Sequence, residues 1–342
     1  MIATVIGGGS WGTAFALHLG RLGIPTRLWV REDDVRREIA ERGTNSLFLP
    51  GFRLSGPVSV FGDPAEALAN GEIVFVAVPS QFFRRVAETM APHLGAARGI
   101  VSLTKGIEDG SLRRMSEVIE DIMGRSGRRL PIAALSGPSF AREVAEGRAT
   151  AVVAASEDRD LVRTVQHLVS DVRFRVYTSS DIRGVELAGA VKNVIAIAVG
   201  IADGLDAGRN ATAALMTRGL HEMTRLGMRM GARAETFAGL AGIGDLILTC
   251  TGALSRNRYV GSELGRGRSL ESITSGMAMI AEGIVTTLSV RALADRFRVE
   301  LPICQQVYEV LYRGKPIDRI LDDLMSRSLK SEHGDVAAAE KE

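Results

Sequence analysis

Six residues near the start of the chain, Gly7-Gly8-Gly9-Ser10-Trp11-Gly12, restrict its fold more than any other stretch. They follow the apolar, β-branched run Thr4-Val5-Ile6 and open a helical pattern from Trp11 to Leu22 that Gly23 and Pro25 close. Between a strand and a helix, glycines at 7, 9 and 12 have separate tasks. Gly7 permits the tight turn, Gly9 lets the backbone approach a pyrophosphate, and Gly12 lets the helix pack closely on the strand. The free N–H groups and the helix dipole then hold phosphate charge. A glycine-rich turn with no ligand is the alternative. The second strand, Thr26 to Val30, follows in register and favours the dinucleotide.

The pattern continues as a doubly wound parallel sheet. Ile73-Val74-Phe75-Val76-Ala77-Val78 is a continuous apolar run stopped by Pro79, as a central strand buried on both faces requires. Ile100 to Leu103 and Ile132 to Leu135 read the same way, and Ala151 to Ala154 and Phe174 to Tyr177 read as closing strands, parallel or antiparallel. After about residue 180 the β-branched alternation disappears and helical periodicity runs to about Arg327. The expected fold is α/β: an N-terminal Rossmann-like doubly wound sheet over 1–181 and an all-α domain over 182–330. The boundary falls near 179–186, with Ser180 or Asp181 as a helix N-cap. The polar stretch 331–342 is expected to be a frayed tail.

Composition narrows the function. The 342 residues carry 46% hydrophobic and 24% charged side chains, enough for two cores. Lys and Arg number 42 against 40 Asp and Glu, so no basic excess recruits nucleic acid or an anionic membrane. The two cysteines, Cys250 and Cys304, and the five histidines fall in no metal-ligand spacing, so no metal is expected. The opening Met-Ile-Ala-Thr-Val-Ile-Gly has no basic n-region, and the most apolar stretch, Leu187 to Ala202, is interrupted by Lys192 and Asn193 and reads as too short to span a bilayer. A soluble, cytoplasmic protein is expected. One excess remains: 38 glycines, above the usual level.

The second half holds the main chemical signal. In Glu186-Leu187-Ala188-Gly189-Ala190-Val191-Lys192-Asn193-Val194-Ile195-Ala196-Ile197-Ala198, one stripe is core and the Lys192 row is apolar too. A helix apolar all round is buried. Lys192 therefore either snorkels from a helix end or lies desolvated, with a lowered pKa that suits proton transfer. Glu186 and Asn193, seven residues apart, are read as one polar pocket. Beyond strand ends lie Thr104-Lys105-Gly106 and Gly137-Pro138-Ser139-Phe140-Ala141. Farther on come Gly242-Ile243-Gly244-Asp245 and Ser255-Arg256-Asn257, where Arg256 suits a bidentate grip on phosphate unless the triplet is only a helix cap. At the end of the second strand, Arg31 leans towards the 2′-phosphate of NADPH, while Glu32, Asp33 and Asp34 leave NADH open.

Taken together, these clusters resemble the bacterial-type NAD(P)-dependent glycerol-3-phosphate dehydrogenases. The matching stretches are GGGSWGTAFA at 7–16, SLTKGIE at 102–108, LSGPSFAREV at 135–144, ELAGAVKNVIAIAVGIADGL at 186–205 and GIGDLILTCTGALSRNRYVG at 242–261. AEGIVTT at 281–287 and PICQQVYEVL at 302–311 also fit. The resemblance implies reversible oxidation of sn-glycerol 3-phosphate to dihydroxyacetone phosphate, supplying phospholipid synthesis. It implies Lys192 as the proton acceptor or donor, and Lys105, Gly137, Ser139, Asp245, Ser255, Arg256 and Asn257 as substrate contacts. Ser10, Trp11, Arg31, Phe48, Lys105, Ala141, Arg256, Ile280 and Glu282 would line the cofactor, beside Gly7, Gly9 and Gly12. Gly8 stands where alanine is common, Ile243 where leucine is usual, and Phe48 where tyrosine is frequent. A dehydrogenase of β-hydroxyacids would share the lysine helix but not the Ser255-Arg256-Asn257 cluster. The apolar helices can support a homodimer.

Overall fold

The computed structural model describes residues 1–277, 279–329 and 331–332. The expected tail, apart from Ser331 and Glu332, lies outside the described residues. Ten strands occur in chain order: β1 Ala3–Ile6, β2 Thr26–Trp29, β3 Thr44–Asn45, β4 Leu49–Arg53, β5 Val58–Phe61, β6 Ile73–Val76, β7 Gly99–Ser102, β8 Ile132–Ser136, β9 Thr150–Ala155 and β10 Phe174–Ser179. Eight form one sheet in the order β10-β9-β8-β7-β6-β1-β2-β5, while β3 and β4 make a separate hairpin. The six strands from β5 to β8 in that order run parallel; β9 pairs antiparallel with β8, and β10 runs parallel to β9. The two closing strands thus both oppose the other six.

Burial follows the sequence pattern. All four residues of β1 and of β6 are buried, as strands covered on both faces must be. The edge strand β5, which the sequence pattern does not single out, has Val58 and Val60 partly buried and Ser59 exposed. Chain order places β1 and β6 side by side at the point where the winding reverses direction. Ligands of open α/β sheets bind in the crevice beyond the strand ends at such a point.

The helices that matter for the site are α1 Ser10–Arg21, α2 Asp33–Arg42, α3 Ser80–Met90, α4 Met115–Arg125, α5 Ile182–Gly204, α6 Gly208–Arg229, α7 Asp245–Thr251, α8 Arg256–Gly265, α9 Glu282–Phe297 and α10 Pro302–Arg313. Among the described residues no strand occurs after Ser179, and the second core is built around α5. Asp181 caps this helix by accepting from Gly184 N at 2.9 Å, and its other oxygen accepts from Arg233 N at 2.9 Å.

Every residue of α5 from Gly184 to Ala202 is buried. At 23 residues and a mean hydropathy of 1.7 over its 18-residue window, α5 is long and apolar enough to cross a bilayer, contrary to the shorter stretch read from sequence. The whole of that window is instead buried inside the protein. Helices α6, α8 and α9 pack around it.

The tightest of these contacts accounts for part of the glycine excess. Gly200 and Gly204 of α5 face Gly261 and Gly265 of α8. A Cβ on Gly200 would lie 2.2 Å from Arg258 O, and one on Gly261 would lie 2.1 Å from Ile197 O. Gly204 and Gly265 would meet Ser262 O at 2.3 Å and Ile201 O at 2.5 Å. Glycines four apart on both helices let the two backbones touch. Gly261→Ala should therefore cost about 1–3 kcal/mol through overpacking, more than the roughly 1 kcal/mol that alanine gains in helix propensity. A urea midpoint at or above wild type would contradict this packing.

Candidate active site

Gly7 and Gly12 take the tight turn and the close packing that the spacing predicts. Gly7 has φ +120°, and a Cβ there would strike Ala77 O at 2.5 Å; a Cβ on Gly12 would sit 1.9 Å from Gly7 O. Gly9 is different: among the described residues a Cβ there would meet nothing within 4 Å. Its bareness serves no packing among them and leaves room for a pyrophosphate to approach the backbone. The loop forms one wall of a cleft of about 400 Å³ beyond the carboxyl ends of the parallel strands.

Every site residue expected from the sequence lines this cleft except Gly12 and Gly137. Gly12 packs α1 against the loop. Gly137 acts through its carbonyl, which accepts from Lys105 Nζ at 2.9 Å and from Ser139 Oγ at 2.9 Å. Its φ of +130° turns the chain out of β8.

The ammonium groups of Lys105 and Lys192 meet at Asp245. Lys105 Nζ donates to Asp245 Oδ2 at 2.7 Å, and Lys192 Nζ lies 3.3 Å from Asp245 Oδ1. Lys192 also donates to Thr249 Oγ1 at 2.6 Å and to Asn193 Oδ1 at 3.2 Å. The Lys192 side chain is buried, so it does not snorkel from a helix end. Burial pushes its pKa down to about 8, helped by the nearby charge of Lys105 and opposed by Asp245. A lysine in that range can hold or release a proton near neutral pH.

Thr249 was not assigned from the sequence. Its hydroxyl donates to Asp245 O at 2.6 Å and accepts from Lys192. The available signal is position: Thr249 lies four residues after Asp245 on α7 and shares its face.

The polar residues of α5 serve two networks, and the single pocket read for Glu186 and Asn193 is corrected. Glu186 accepts from Arg114 Nη1 at 2.6 Å, Ser116 Oγ at 2.6 Å and Ser116 N at 2.8 Å, fastening α5 to the start of α4. Asn193 belongs to the cleft. Its Oδ1 accepts from Asn257 Nδ2 at 2.9 Å, and Asn257 Oδ1 accepts from Gly283 N at 2.9 Å. A seven-residue separation on a helix is close to two turns, but here the two side chains engage different partners along the length of α5.

Ser255 is the N-cap of α8, its Oγ accepting from Arg258 N at 3.2 Å. The cap reading of the triplet therefore holds for Ser255. The Arg256 guanidinium lines the cleft, is exposed, and makes no hydrogen bond or ion pair among the described residues.

The residues present fit a nicotinamide dinucleotide. Besides the bare Gly9, the Trp11 indole Nε1 is a buried donor with no acceptor among the described residues. Ser10 Oγ donates to Phe48 O at 2.6 Å and draws the β3–β4 hairpin over the loop. Glu282, at the start of α9, accepts from Ser80 N at 3.1 Å and from Ser80 Oγ at the N-terminus of α3. Burial pushes the Glu282 carboxyl up, against the pull of those bonds.

Comparison with known proteins agrees with this geometry. Residues 2–162 match the family description NAD-dependent glycerol-3-phosphate dehydrogenase N-terminus, and residues 181–322 match its C-terminus. The chain belongs to the NAD-dependent glycerol-3-phosphate dehydrogenase family. A glycerol-3-phosphate dehydrogenase [NAD(P)+] of Koribacter versatilis is 53% identical over 96% of this chain and 98% of its own length. Another, from Syntrophotalea carbinolica, is 52% identical over the same shares. The crystal structure of glycerol-3-phosphate dehydrogenase from Coxiella burnetii superposes with a TM-score of 0.91 at 40% identity, covering 95% of this chain and 98% of that one. A ketopantoate reductase from Ralstonia eutropha, at 16% identity and a TM-score of 0.60, shares the fold alone.

Asp245→Asn keeps the shape of the carboxylate but removes its charge. Because Asp245 contributes most of what raises the Lys192 pKa against burial, Lys192 in the variant should titrate below about 8. Leaving a buried ammonium unpaired should cost about 3–5 kcal/mol of stability. NMR titration of the lysine side-chain carbons reads the first effect, and an unmoved titration contradicts the pairing.

Proposed function

We propose that the chain interconverts dihydroxyacetone phosphate and sn-glycerol 3-phosphate, with Lys192 as the residue that gives and takes the proton at C2. The observation that carries this reading is the cluster of buried Lys192 and Asp245 with partly exposed Lys105, which shares one cleft with the glycine loop and with Arg256. A reduced nicotinamide, when bound, supplies the hydride. The protein's own residues do the rest.

Lys192, charged below about pH 8, polarises the substrate carbonyl and delivers its proton to the oxygen as the alcohol forms. In oxidation the neutral amine takes that proton back. Asp245 holds both ammonium groups in place, so the proton donor keeps its position without reorganising. Thr249 holds a second Lys192 N–H at 2.6 Å, and the longer bond to Asn193 at 3.2 Å is the one that a substrate carbonyl would replace. Arg256 binds the phosphate away from the reacting carbon, with the Ser255 hydroxyl hydrogen free to donate and that of Ser139 available once it turns from Gly137 O, and this binding energy orients C2. Asn257 has its Oδ1 bonded to Gly283 N and an Nδ2 hydrogen bonded to Asn193, so it braces α5, α8 and α9 as well as facing the cleft. The glycine loop would hold the dinucleotide, with Arg31 and Glu32, which line the same cleft, at its ribose end. A soluble, cytoplasmic setting and a dimer built on the helical half accord with this reading.

Lys192→Met should lower turnover by at least the roughly 10²–10⁴-fold that positioned acid–base catalysis supplies, while cofactor binding stays near normal. Activity within tenfold of wild type would sink the assignment. Arg256→Ala should mainly raise the KM for dihydroxyacetone phosphate, and an unchanged KM would remove its phosphate role. The pH dependence has a definite sign. Ketone reduction needs charged Lys192 and should fall as pH rises through about 8, whereas alcohol oxidation should rise through the same value. Initial rates in both directions across pH 6–10 check this, and parallel profiles would contradict it.

A further inference from the structure

The ribose end of the cleft shows how the chain treats its two candidate cofactors. Arg31, just beyond β2, does not stand free. Its Nη2 donates to Glu32 Oε1 at 2.6 Å and its Nε donates to the same oxygen at 3.0 Å. The other Glu32 oxygen makes no hydrogen bond among the described residues. Both side chains line the cleft that begins at the glycine loop, and the Arg31 guanidinium lies 5.8 Å from the centre of the Phe82 ring.

The acids that follow Glu32 are spoken for. Asp33 pairs with Arg36 at 2.7 Å and Asp34 with Arg37 at 3.5 Å, each one turn along α2. Neither lines the cleft. Of three consecutive acids, Glu32 alone faces the site.

This arrangement is asymmetric towards the two nucleotides. A ribose 2′-hydroxyl can donate to the open Glu32 oxygen and leave the Arg31 pair intact. A 2′-phosphate can take only the Arg31 N–H groups that Glu32 leaves free, on Nη1 and the outer side of Nη2, and it would sit there close to the Glu32 carboxylate, whose like charge repels it. Exposure moderates this, since Arg31 is 56% and Glu32 32% exposed. We propose that Glu32 is a specificity-determining residue, which neutralises Arg31 and biases the cleft towards NADH over NADPH. The inference rests on the dinucleotide reading of the cleft and reverses the lean that Arg31 alone gives.

Binding, measured apart from turnover, tests it. Isothermal titration of the intact protein with NADH and with NADPH gives the ratio of the two dissociation constants. Glu32 is the N-cap of α2 but makes no side-chain capping bond, so Glu32→Gln leaves that helix its contacts. In Glu32→Gln the ratio should move towards NADPH by about tenfold, through weaker NADH and tighter NADPH. Arg31→Ala, with the carboxylate kept, should move it the opposite way. A ratio in Glu32→Gln within twofold of wild type, with both nucleotides still binding, overturns the role of Glu32 and leaves the cofactor reading standing. If neither nucleotide binds the wild-type protein, the cofactor reading itself fails, and this inference with it.

Discussion

A lysine placed in the middle of a helix that is buried on every side must be paired, and the site is arranged around that requirement. Helix α5 is the centre of the helical half, covered by α6, α8 and α9. Lys192 lines the cleft with only 5% of its side chain exposed, and among the described residues its ammonium group bonds to Thr249 and Asn193 and pairs with Asp245. Asp245 is anchored in turn by Lys105, from the loop after β7. The same desolvation that would destabilise an unpaired charge brings the lysine into the range useful for proton transfer. On the proposed role of Lys192, stability and reactivity are two readings of one charge cluster.

That cluster holds its geometry because the helices behind it cannot slide. The α5–α8 contact is backbone on backbone, and such a contact has one register, whereas interleaved side chains can repack. Lys192 and Asn193 lie on α5, Arg256 and Asn257 at the start of α8, and the glycine contact joins those helices beyond the site. The Asn193–Asn257–Gly283 chain of hydrogen bonds then ties the start of α9 to both. A helical glycine is unfavourable by roughly 0.5–1 kcal/mol against alanine. The close approach that it permits supplies the compensating packing.

Much of this was legible in the residues. The glycine spacing located the loop, the all-round apolar pattern located a buried lysine, and Asp181 was readable as a cap because its chemistry is local. What escaped the sequence depends on contacts far along the chain. The division of Glu186 and Asn193 between two networks is set by Arg114 and Asn257, neither of them close in sequence. Strand β5 escaped because an edge strand is half exposed and its apolar signal is diluted. The length of α5 was underread because Lys192 and Asn193 interrupt its hydropathy, although both are buried. The cap role of Ser255 and the exposure of Arg256 coexist in adjacent residues, and only the orientation of α8 shows that.

The contacts between the two halves have a bearing on how such a protein can be recombined. Lys105 and Asp245, Arg114 and Glu186, and Ser80 and Glu282 each take one member from the sheet half and one from the helical half. Each pair places a charge where its partner must come from the other half. Grafting this sheet half onto another helical module, or the reverse, would strand ionised groups at the seam unless all three partners were carried across. The heritable unit is therefore the seam itself: the modules look separable by topology, but their electrostatics make them a single inheritance.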